Sequence, residues 1–305
     1  MKIYMPGHLG GAGLHIYAGY LNAWKSLGFD PEWYIHSLPV EDCPQEYYVM
    51  TREDMLLSEQ FKYREFLEGA KAAFVFTPGN YFPPPWGEHP NWVSNPPEKY
   101  VETLEGMDNV HLWTFGNSEG RNFYPRWEKE VHYIPLAFDH IGYQPEVSPG
   151  HEFDICFVGG WADNGFNEKE KIILDHYNEF KKLGIKLGFS IDQNISHQDE
   201  ANVLFNSKIA VNLHDQYQRV VGTDSNERTF KSLGLTGFLI CDKVKEVENL
   251  FPRVPTSDTP KKFAKLIKHY LNISDNAMDE FKKENRRDIL DNHTYVNRVN
   301  SLLKL

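Results

Sequence analysis

The chain is short of cysteine, of net positive charge and of long apolar runs, and each shortage removes a class of protein. Its three cysteines, Cys43, Cys156 and Cys241, are odd in number and widely spaced, and no Cys-x-x-Cys occurs. That excludes a disulfide scaffold and a thiolate metal knuckle. Cys156 and Cys241 fall inside apolar runs and read as small core hydrophobes. None of the 13 histidines recurs at helical metal-ligand spacing, so no metal is expected. A net charge of −11 argues against a surface given over to nucleic acid, because counterion release needs clustered Lys and Arg. No run approaches the roughly 20 apolar residues of a membrane span. The sequence opens on Lys2–Met5 with no charged-then-apolar leader, which predicts a soluble, cytoplasmic protein.

What is present is enough apolar residue for sizeable cores, 41% of 305, and many rings, with 16 Tyr, 20 Phe and 7 Trp. That length fits one large or two medium domains. Strand and helix patterns alternate. Lys2–Met5 leads into a glycine loop ending at Gly13, then an amphipathic stretch to Leu27. Trp33–His36 reads as a strand, Arg52–Glu68 as a helix, and Ala72–Thr77, Val110–Phe115 and Val131–Leu136 as strands. Between Pro78 and Pro97 lies a loop dense in Pro, Gly and Trp, of a kind that tends to bind or cover ligands. After a polar break, Tyr143–Gly150, the pattern restarts with Phe153–Gly160, and helices fill the end from Pro260. Two α/β domains, 1–142 and 143–305, follow from this order.

The densest signal runs from Asn226 to Asp242. Arg228 and Lys231 lie three residues apart in the first turns of a helix that starts near Ser225 or Asn226. There, unpaired N–H groups and the helix dipole favour an anion. Gly234 is expected to end this helix, and Phe238–Cys241 reads as a strand buried on both faces. The alternative is a solvated helix face with Asp224 and Glu227 pairing the cations. The glycines at 7, 10, 11 and 13 do not have Gly-x-Gly-x-x-Gly spacing, which disfavours NAD.

Taken in order, Tyr133–Asp139, Phe153–Gly160, Arg228 and Lys231 with Gly234, Gly237–Asp242, Val247–Phe251 and His293–Arg298 resemble GT-B glycosyltransferases, in particular the spore-maturation-protein-like branch. The resemblance covers the second half of the chain. It implies two Rossmann-like domains facing across a central cleft, with C-terminal helices packing back toward the first. It also implies a nucleoside-diphosphate sugar, UDP-linked, as donor, and no cofactor or metal, because side chains and helix N-termini neutralise the leaving diphosphate. Arg228 matches the family's phosphate-binding arginine, and Gly159 and Gly160 match the turn where backbone approaches the donor. Lys231 departs from the pattern. The family commonly has a Glu there that receives ribose hydroxyls, and a lysine cannot accept them.

The expected donor site is therefore Gly10, Gly11, Gly159, Gly160, Asn226, Glu227, Arg228 and Lys231. Glu227 or Asp224 takes the ribose, or Lys231 turns to the phosphates. Inversion at the anomeric carbon needs a base within hydrogen-bond reach of the acceptor hydroxyl. Glu119 is the first candidate, His8 the second, and Glu88 or His89 the third. Tyr81, Trp86 and His89 are the acceptor-binding candidates, with Trp92 a further ring able to stack on a sugar or base. The expected activity is sugar transfer to a hydroxyl of an envelope polysaccharide, or of a hydroxylated DNA base if the protein is phage-encoded, since phage DNA glucosyltransferases share this short layout. The alternatives are a nucleotide-sugar epimerase and a non-catalytic nucleotide-sugar-binding module.

Overall fold

The computed structural model describes residues 1–7, 11–35, 37–56, 60–77, 98–117, 126–161, 168–193 and 195–305. These form two compact units, Met1–Pro135 with Tyr295–Leu305, and Leu136–Thr294. The chain thus changes unit ahead of the polar stretch at Tyr143.

In the first unit, β1 (Lys2–Pro6), α1 (Gly11–Ser26), β2 (Asp30–Tyr34), β3 (Tyr47–Arg52), α2 (Glu53–Leu56), α3 (Gln60–Glu68), β4 (Ala72–Phe76), α4 (Glu98–Leu104), β5 (Val110–Thr114) and β6 (Val131–Tyr133) follow in turn. The strands pair in parallel in the order β2-β1-β3-β4-β5-β6. Parallel strands need crossovers that cover both faces, which explains why Val49, Ala73, Val75, Val110 and Leu112 are wholly buried. Strand β3 is absent from the sequence reading, which begins a helix at Arg52. In the structure β3 ends at Arg52 and α2 begins at Glu53, with no turn residue between them to mark the change.

The second unit runs β7 (Phe153–Gly159), α5 (Lys169–Lys181), β8 (Leu187–Ile191), α6 (His197–Phe205), β9 (Ser207–Asn212), α7 (Gln216–Val221), α8 (Glu227–Leu235), β10 (Leu239–Asp242), α9 (Lys245–Leu250), β11 (Thr256–Ser257), α10 (Pro260–Leu271) and α11 (Asp275–Asn292). Its strands are again parallel, ordered β11-β10-β9-β7-β8. Phe157, Phe180, Phe263 and Ile240 fill the core, each contributing about 1.5–3 kcal/mol by leaving water. The chain goes from β7 outward to β8, then returns to the other side of β7 as β9. This reversal is a topological switch point, beside whose strand C-termini α/β proteins bind ligands. The last helix, α12 (Tyr295–Leu302), belongs to the first unit. There it packs on α1, with the Tyr295 ring in the space that Gly19 leaves open.

Two glycines around α8 have roles other than those expected. The helix passes through Gly234, where a Cβ would meet Phe138 Cδ1 at 2.5 Å, so this glycine admits a ring and does not end the helix. The stop comes at Gly237, whose φ of +78° suits glycine alone. From α11, Arg286 donates to the carbonyls of Leu235 and Thr236, and Asn285 donates to that of Gly237. These bonds satisfy the end of α8 and put a positive charge at its negative pole.

Candidate functional site

The C-termini of β7, β9 and β10 bring Gly159, Asn212 and Asp242 together, and α8 points its N-terminus at them. The N-cap residue Asn226 makes no side-chain cap on α8. Its Oδ1 instead accepts from Asn212 Nδ2 at 2.8 Å. The first-turn amides of α8 are thereby left without the side-chain acceptor that usually satisfies them.

Arg228 leaves the first turn toward β7. Its Nε donates to the Val158 carbonyl and its Nη1 to Asn212 Oδ1 at 3.0 Å, while the guanidinium lies 4.6 Å over the Phe157 ring. A Cβ on Gly159 would collide with Arg228 Nη2, and one on Gly160 would stand 2.5 Å from Asp192 Oδ1. The room that the sequence reading gives to the donor at these glycines is filled by the protein's own side chains. Both glycines therefore act first on Arg228 and Asp192. Burial lowers the Arg228 pKa, against the pull of Glu200 and Glu227. A bound anion would offset that cost.

Lys231 does not share this face. Its Nζ lies 2.6 Å from Glu200 Oε1 and 3.1 Å from Glu227 Oε2, beneath the Tyr143 ring, and all three charged side chains are almost fully buried. Tyr143 Oη donates to the other Glu200 oxygen at 2.9 Å. Burial opposes the Lys231 charge, but Glu227 and Glu200 outweigh it and raise the pKa. This corrects the expectation of two cations presented together, because the charge of Lys231 is already matched by two carboxylates. Glu227 Oε1 is buried and finds no hydrogen-bond partner among the described residues, and a buried acceptor in that state calls for a donor.

Sequence reasoning missed Asn212, His214, Asp242, Glu200 and Lys169. His214 Nδ1 lies 2.7 Å from Asp242 Oδ1, and its amide donates to Asp242 Oδ2 at 2.8 Å. Burial would raise the Asp242 pKa, but His214, Arg219 and Lys169 more than reverse this and hold the carboxyl ionised. His214, Cys241 and Asp242 place possible ligand atoms within 4.8 Å of one another. However, 2.7 Å between His nitrogen and Asp oxygen is a hydrogen bond, shorter than the roughly 3.3 Å separating tetrahedral zinc ligands. Lys169 at the start of α5 donates to the Leu213 carbonyl. Burial, then the Arg228 charge, depresses its pKa to about 7. The available signal for Asn212 and Asp242 was a polar residue closing a buried apolar run, Ile209–Val211 and Leu239–Cys241.

The remaining expected residues contribute no geometry. His8, Gly10, Tyr81, Trp86, Glu88, His89, Trp92 and Glu119 lie outside the described residues, and Gly11 begins α1.

A family model described as glycosyl transferase-like matches residues 149–304, more than half of the chain, and the chain belongs to that family. It is a glycosyltransferase of the GT-B type, with two Rossmann-like units. The structure is similar to the N-terminal domain of Candida albicans trehalose-6-phosphate phosphatase, at 9% identity and TM-score 0.57, over 99% of this chain and 96% of that one. It is also similar to an alpha-glucosyltransferase in complex with UDP-glucose and DNA containing an abasic site, at 13% identity and TM-score 0.57, over 96% and 95%. A third likeness is to AviGT4, a glycosyltransferase involved in avilamycin A biosynthesis, at 10% identity and TM-score 0.56, over 99% and 96%. No curated protein matches the sequence. Among the described residues, no helix is long and apolar enough to cross a membrane.

Proposed function

We propose that the second unit holds a nucleoside-diphosphate sugar with its diphosphate at the N-terminus of α8 and against Arg228. The observation that carries this reading is the uncapped first turn of α8, with its cap side chain turned to Asn212 and the Arg228 cation beside it. An anion there accepts N–H bonds and meets a fixed positive charge, so the diphosphate is neutralised without a metal. The unpartnered Glu227 Oε1 accepts ribose hydroxyls, the role that the departure at Lys231 leaves open. The donor is UDP-linked, as in the UDP-glucose complex of the similar alpha-glucosyltransferase. The acceptor is a carbohydrate hydroxyl. A hydroxylated DNA base is the second reading, favoured by the likeness to that DNA-bound enzyme and opposed by the net charge of −11.

Calorimetric titration of UDP and 2′-deoxy-UDP in the presence of EDTA tests the site. The native protein should bind UDP more tightly than the deoxy analogue, and R228A should lose about tenfold or more in affinity for both while remaining folded. Equal UDP affinity in folded R228A would remove the assignment.

A further inference from the structure

Resting on the reading of Arg228 as a donor-diphosphate ligand, a buried chain of side chains runs from it to Asp242 at the end of β10. Arg228 Nη1 meets Asn212 Oδ1 at 3.0 Å, and Asn212 Nδ2 meets Thr229 Oγ1 at 2.8 Å. Thr229 Oγ1 lies 2.6 Å from Ser225 Oγ, which lies 3.1 Å from His214 Nε2, and His214 Nδ1 is 2.7 Å from Asp242 Oδ1. Asn212, His214, Ser225, Thr229 and Asp242 are all buried.

The first member sets the Asn212 amide, and one sense of the remaining links continues from it. An arginine only donates, so the Asn212 oxygen faces Arg228 and its NH2 faces Thr229. Thr229 Oγ1 accepts that bond and turns its own hydrogen to Ser225. Ser225 in turn donates to His214 Nε2, which leaves the Nδ1 hydrogen for the Asp242 carboxylate. Every donor and acceptor is matched in one direction, from the cation to a carboxylate held ionised. With the His214 hydrogen on Nδ1, this sense leaves no buried donor or acceptor of the chain facing its like. The second Asn212 hydrogen goes to Asn226 Oδ1, so the same amide orientation also keeps the cap side chain off α8.

We propose that His214 and Asp242 are positioning residues. Through Ser225, Thr229 and Asn212 they fix the Asn212 amide, and thereby both the Arg228 guanidinium and the open N-terminus of α8. None of the inner members has to touch the donor.

Titration of inorganic pyrophosphate and UDP into wild type, T229V, R228A and T229V/R228A tests this, with T229S as the conservative control and H214Q as a second cut. T229V breaks the chain without a change of side-chain shape. It should weaken pyrophosphate binding about tenfold, T229S should restore it, and T229V should cost nothing further once Arg228 is gone. H214Q should behave as T229V does. If it fails to fold, S225A replaces it, because that variant cuts the same link and leaves the His214–Asp242 pair intact. An equal loss from T229V in both backgrounds, or wild-type affinity in folded T229V, overturns the inference and leaves the donor site standing. If wild type binds neither probe, or R228A binds both as wild type does, the donor-site reading fails and the inference falls with it.

Discussion

Arg228 occupies the space that Gly159 leaves at the end of β7: its Nη2 stands where a Cβ on that glycine would be. The expected consequence of G159A follows directly. The added methyl displaces a guanidinium that donates to the Val158 carbonyl and to Asn212. Hydrogen bonds to charged groups contribute about 1.5–3 kcal/mol each, so UDP affinity should fall by about tenfold or more. The same bonds are lost from the folded protein, so the melting temperature should fall as well. A titration and a thermal melt on the same preparation check both halves, and undiminished UDP binding in G159A would contradict the arrangement.

A second expectation concerns Lys231, between Glu200 and Glu227. Removing one partner of a buried ion group leaves charge without compensation and costs about 3–5 kcal/mol. K231M should therefore destabilise the protein by that order in urea unfolding, and adding E200Q should recover part of the loss by removing one orphaned carboxylate. If Lys231 instead contacted the donor, K231M would unfold like wild type and bind UDP poorly.

The sheets were legible where strands are buried on both faces, since Ala72–Thr77, Val110–Phe115 and Phe238–Cys241 read as short strand runs and fall on β4, β5 and β10. Tyr47–Arg52 escaped because a short apolar run suits strand or helix equally and α2 follows it without a break. The helix carrying Arg228 was legible from its local pattern. The destinations of its side chains were not. Gly159, Asn212 and Glu200 lie far from Arg228 and Lys231 along the chain, and only the β7/β9 reversal and the packing of α6 bring them near. A glycine that makes room for a ligand and one that makes room for an arginine look the same in one dimension.

The buried lysine at the start of α5 gives the last expectation. Burial and the neighbouring Arg228 charge bring the Lys169 pKa from 10.5 down to about 7, a cost of about 5 kcal/mol whenever the folded chain carries that proton. Below pH 7 both folded and unfolded chains are protonated, so the cost is full and constant. Between about pH 7 and 10.5 the unfolded chain still binds the proton and the folded chain has released it, so unfolding takes up a proton and this contribution to stability rises with pH. K169M carries no such charge. Its stability advantage over wild type should be largest at and below neutral pH and shrink toward about pH 9, in urea unfolding of both proteins across that range. A difference that stays constant with pH would show that Lys169 keeps its proton in the fold, held by Asp242 and Asp215 more strongly than burial and Arg228 oppose it.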